Sequence, residues 1–122
     1  MRELIQTVRA GLRERLSELE PPRDQVPFVY VTAIHSDAGL TRSLAGITLI
    51  SREMGFDVDA ETLYSADATS ATYHAQHNNK AVALAVEVCP PRQTVSIAVS
   101  GQDDQDTYPL FLEADRRLFG AC

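Results

Sequence analysis

The stretch from Lys80 to Ser100 restricts the architecture more than any other part of the chain. Large branched residues fall at alternate positions, Val82, Leu84, Val86 and Val88, and again at Val95, Ile97 and Val99. A period of two is what a strand needs to gather one set of side chains on one face of a sheet. Pro90-Pro91 separates the runs, so the pattern predicts two strands joined by a proline turn. The intervening positions are small: Ala81, Ala83, Ala85, Glu87 and Cys89, then Thr94, Ser96, Ala98 and Ser100. One of those nine carries a charge, which is sparse for a face that meets only water. The branched face is expected to be core. The small-residue face is expected to meet a second layer or a partner.

The other segments fit helices and strands around this pair. Leu4, Ile5, Val8, Leu12, Leu16 and Leu19 recur at spacings of three and four, which predicts an amphipathic helix over 2–19, stopped by Pro21-Pro22. Its stripe is expected to pack on the protein's own sheet. Residues 27–35 alternate with both sets largely apolar, Phe28, Tyr30, Thr32 and Ile34 against Val29, Val31, Ala33 and His35. A strand apolar on both faces is expected inside a sheet. Residues 40–55 read as a helix through Leu40, Leu44, Ile47 and Met54, ended by Gly55. The run Ile47-Thr48-Leu49-Ile50 leaves a strand as the alternative. Residues 56–68 are acidic and mixed. Residues 70–76 predict a short strand that turns through His77-Asn78-Asn79. Gln102 to Asp106 reads as a solvated acidic loop before a last helix capped by Thr107 and packed through Leu110, Phe111, Ala114, Leu118 and Phe119. The expected fold is a single α+β domain over 1–122, a mainly antiparallel sheet of about four to five strands with N-terminal and C-terminal helices packed against it.

Length and charge narrow the function classes. A chain of 122 residues can bury a core without disulfides or metal. No apolar run approaches the roughly 20 residues of a membrane span, and Met1-Arg2-Glu3 opens a charged segment and not a signal peptide. A cytoplasmic protein is expected, with Cys89 and Cys122 as free thiols. The formal net charge is -6, and residues 57–122 carry all of it. Such a half repels a phosphate backbone, so nucleic acid is not an expected partner.

Few residues could carry chemistry. His74 and His77 stand three apart, which shares a face on a helix but not on a strand. Nothing in the pattern completes a zinc set with them or with His35, and no metal or cofactor is expected. Asp57, Asp59 and Glu61 alternate, so a strand would put all three on one side. Three close carboxylates could hold a hard cation, but a solvated acidic edge is the plainer reading, and it applies equally to Asp103, Asp104 and Asp106. Cys89 with His35 or His74 is the pairing that nucleophilic chemistry would use. No evident cation or helix N-terminus activates that thiol, and a buried, inert cysteine is the plainer reading.

These observations predict a small acidic protein-binding module of the chaperone, immunity, inhibitor or adaptor type, non-catalytic, using its acidic C-terminal half. The expected contacts are Asp57, Asp59, Glu61, Asp103, Asp104 and Asp106, facing a protein partner with a basic surface. A second copy covering the alanine-rich face would give a homodimer. The alternative is a small-molecule-binding protein or enzyme with a pocket lined by His35, Tyr30, Tyr73 and His74.

Overall fold

The structure, a computed structural model, describes residues 26–120. The helix predicted over 2–19 and the terminal Cys122 lie outside the described residues. Strands β1 (Phe28–His35), β2 (Phe56–Tyr64), β3 (Ala71–His77), β4 (Val82–Cys89) and β5 (Thr94–Gly101) form one sheet in the order β1-β5-β4-β3-β2. Every neighbouring pair is antiparallel. Helix α1 (Leu40–Glu53) joins β1 to β2, and α2 (Asp104–Phe119) follows β5. This is an α+β fold with both helices on one face of the sheet.

The branched residues that defined β4 and β5 are the centre of the core. Val82, Leu84, Val86, Val88, Val95, Ile97 and Val99 are all buried, and Leu44 and Ile47 of α1 with Leu110 and Ala114 of α2 cover them. Burial of a side chain of this size contributes about 1.5–3 kcal/mol, so this face alone commits β4 and β5 to the interior. The proline turn between them is a short 3-10 helix, Pro90–Arg92, closed by Gln93 in the left-handed region at φ 53°.

Residues 40–53 are helical, which resolves the helix-or-strand alternative. The buried stripe Leu44, Ile47 and Ser51 has helical spacing. Gly55 follows the helix at φ 97°, where a β-carbon would lie 2.7 Å from His77 Nε2. Only glycine fits such a left-handed position with a ring against it.

Three expectations need correction. Strand β1 was expected inside the sheet and stands at its edge, because the chain crosses through α1 to the opposite edge before the remaining strands fold back towards it. Residues 56–64 form a strand where only a mixed acidic segment was expected. Two bulges hide it: the register with β3 shifts between Phe56 and Val58 and again between Val58 and Glu61, and Asp59 turns left-handed at φ 50°. Finally, α2 begins at Asp104 and not after Thr107. The Asp103 side chain caps it by accepting the Gln105 N–H at 2.9 Å.

Candidate functional site

Cross-strand register lays out the face that the helices leave open. Four rows cross the sheet there: Val29, Ser100, Ala83, Gln76 and Val58; Val31, Ala98, Ala85, His74 and Glu61; Ala33, Ser96, Glu87, Thr72 and Leu63; and His35, Thr94 and Cys89. The central columns, from β4 and β5, are alanine, serine, threonine and cysteine apart from Glu87. These side chains are half-buried only because their neighbours are equally short. Among the described residues, no helix covers this face. The result is a floor of small side chains with Val29 and Val31 along one margin and Val58, Glu61 and Leu63 along the other.

The residues suggested for a small-molecule pocket do not meet. Tyr73 points into the core, fully buried, and donates its hydroxyl to the Phe56 carbonyl at 2.9 Å. His74 is the next residue and so takes the opposite face, where its Nε2 lies 3.7 Å from Glu61. Tyr30 lies on the helix face, its ring 5.4 Å from Phe111 and 5.1 Å from Tyr108, and donates to Asp104 at 2.5 Å. That bond, then burial, then the negative charge of Asp104 raise the Tyr30 phenol above its ordinary value. His35 ends β1 on the open face and bonds Gln93 Oε1 at 3.0 Å. The four side chains therefore divide between two faces, with the sheet between them.

Cys89 and His35 share a row, with Thr94 between them. Two strand spacings separate their backbones by roughly 10 Å, beyond the reach at which an imidazole takes a thiol proton. His74 lies in a different row. Cys89 is a free, half-buried thiol on the open face. His77, left as a turn residue by sequence, is a clamp: its Nε2 meets the Met54 carbonyl at 3.0 Å, the Asn79 N–H donates to its Nδ1, and its ring stands edge-on to Phe56. Among the described residues, no three His, Cys, Asp or Glu side chains gather as a metal-binding group.

The two acidic groups differ in what occupies them. Asp103 caps α2, Asp104 holds Tyr30, and Asp106 lies 3.8 Å from Lys80. Carboxylates in the first turn also complement the helix dipole. Asp57, Asp59 and Glu61 are exposed along the β2 edge, but its bulges break the alternation that was to gather them on one side. Among the described residues, only Glu61 of these three has an ionic neighbour, His74.

Two shallow apolar hollows lie on the helix side. One, of about 530 Å³, runs between α1 and β2 past Leu49 and Tyr64. The other, of about 230 Å³, lies under Gly46 between α1, Ile34 and the end of α2. Neither collects the converging polar groups that fix a small ligand. No helix among the described residues is long and apolar enough to cross a membrane. No family model matches the chain, no curated protein matches it, and no solved structure matches it.

Proposed function

We propose that this chain is a non-catalytic, cytoplasmic protein-binding module of the chaperone, immunity, inhibitor or adaptor kind, acting as a homodimer. The observation that carries the reading is the open face of the sheet. A floor of alanine and serine lets another chain approach closely, and the exposed Val58 and Leu63 on the same face supply apolar area for association to bury. Glu61 stands at one margin of that floor, and Asp57 and Asp59 are exposed along the same β2 edge, which suits a partner with a basic surface. The separation of His35, Tyr30, Tyr73 and His74 leaves the pocket alternative without a geometric basis.

Affinity capture from the native host at low salt, with the tagged full chain as bait, tests this. A stoichiometric protein partner is expected, released as salt rises because exposed charges are screened over about 10 Å at 0.1 M. Ala98→Glu, which puts a charge in the middle of the open face, should abolish capture and leave the circular dichroism spectrum unchanged. A partner held equally well by wild type and Ala98→Glu would remove the open face from the reading.

A further inference from the structure

We propose that the outer edge of β1 is the seam of a two-fold dimer, in which β1 pairs antiparallel with β1 of a second copy of this chain. This rests on the homodimer in the reading above and places its interface on an edge, leaving the open face to another protein.

Five observations converge on this edge. Strand β1 pairs with β5 in unbroken register from Phe28 to His35, so its other side presents a straight run of backbone donors and acceptors. Among the described residues, nothing pairs with that side. The segment has no Asp, Glu, Lys, Arg or Pro, and so lacks the usual devices that keep an edge from pairing. Among the described residues, six of the eleven exposed large apolar side chains lie on β1 or on the α2 turns beside it: Phe28, Val29, Val31, Ile34, Tyr108 and Leu112. Last, the strand is apolar on both faces, the composition of an interior strand. Pairing with a second copy would make it one.

The occupant must be a strand. Val31 is 64 % exposed on the open face, while Phe28 is 45 % exposed on the helix face. A helix laid on the molecule covers one face at most and leaves the backbone edge unpaired. An added strand continues both faces and satisfies the backbone. Within the chain, residues 1–25 offer no alternating apolar run in their sequence: their apolar residues recur at three and four, and Pro21 and Pro22 have no N–H to give a ladder. A second β1 brings no Asp, Glu, Lys or Arg to the seam, so pairing places no like charges directly opposite one another along the strand.

Symmetry restricts the register. Antiparallel pairing of identical edges sets the two-fold axis perpendicular to the sheet, so each residue pairs with one on its own face. The axis must then pass through a residue and not between two. Centring on Val31 pairs Val31 with itself, Val29 with Ala33 of the second copy and Phe28 with its Ile34. Phe28 with Ile34 is an aromatic and β-branched pairing of the kind that stabilises antiparallel neighbours. On the helix face, Tyr108 lies beside Tyr30, and Leu112 follows one turn later on α2.

Sedimentation equilibrium of the full chain, wild type and Val31→Lys, tests the seam. The wild type should be a dimer. Val31→Lys should raise the dimer dissociation constant roughly ten- to hundredfold, because two ammonium groups would meet on the axis, with its circular dichroism unchanged. In a Cys89→Ser, Cys122→Ser background, oxidised Val31→Cys should cross-link to a covalent dimer and Val29→Cys should not. A wild type that stays monomeric at every concentration overturns both the seam and the homodimer. A dimer that survives Val31→Lys, with no cross-link through Val31→Cys, overturns the seam and leaves the homodimer standing.

Discussion

The two edges of this sheet are built in opposite ways. Strand β2 is bent: its register shifts twice, Asp59 is left-handed, and three carboxylates stand along it. Such an edge cannot template a straight neighbour. It is held by what lies beneath it, through the buried Phe56 ring, the Tyr73 hydroxyl on the Phe56 carbonyl, and His77 on the Met54 carbonyl just before it. Strand β1 has no bulge and no charge, and carries exposed valine and phenylalanine. It is held from one side, through β5 and the start of α2. One sheet therefore shows a guarded edge and an unguarded one, and the guarded edge shows that this fold can close an edge where closure is needed.

The largest effect expected after loss of the dimer is at the junction that keeps β1 straight. Gly101 sits opposite Phe28 on one side and Val82 on the other. A β-carbon there would run into Thr107 Oγ1, and would lie 2.9 Å from the Ala81 carbonyl oxygen. Thr107 is fully buried and donates to the Asp103 carbonyl at 2.7 Å, so it cannot swing aside freely. Gly101→Ala should cost about 1–3 kcal/mol by overpacking, read by urea unfolding. Amide exchange should quicken in β1 near Phe28 and stay slow in β2. An equal loss of protection at both edges would mean that the edges are not held independently.

A smaller effect, opposite in sign at the two edges, comes from glycine itself. Asp59 occupies a left-handed conformation in β2 that an L side chain adopts at a cost. Asp59→Gly should gain about 0.5 kcal/mol, the relief exceeding the extra entropy of the unfolded chain. Val31→Gly, in a regular strand, should lose about 0.5–1 kcal/mol. Thermal melts at low protein concentration measure both. A loss at Asp59→Gly would show that the aspartate side chain contributes to the bulge and is not merely tolerated in it.

What the sequence made legible follows from where the physics is local. Strands β3, β4 and β5 and their core face were readable because alternation is a local consequence of the strand's two-residue repeat. The helix over 40–53 was readable through Leu44 and Ile47, with Gly55 as its stop, although Ile47 to Ile50 alone fits either state. Strand β2 was not readable, because bulges at Val58 and Asp59 remove the periodicity that announces a strand. The edge position of β1 was not readable either. Composition reports what a strand wants to bury, and its place in the sheet depends on the crossover through α1. The candidate site divided in the same way. The small-residue face was visible as a pattern, whereas the capping work of Asp103 and the clamp at His77 depend on partners distant in sequence or on a helix boundary.

The smallest effect expected is the pH response of the straight edge. Tyr30 ties β1 to α2 through its hydroxyl on Asp104, and that bond, followed by burial, holds its phenol above the ordinary value. A group whose folded pKa is raised contributes stability that is complete below its unfolded value, about 10 for tyrosine, and that is lost as pH rises through the folded value. The contact should therefore persist through neutral pH and fail only in alkali, when the phenolate faces the Asp104 carboxylate. Ultraviolet titration of wild type against Tyr30→Phe should show that the residue lost ionises later than a free phenol. Because β2 has no link to α2 of this kind, amide exchange in alkali should quicken first in β1. If β2 loosened first, the bent edge would be the weaker one, and the contrast between the two edges would have to be drawn the other way.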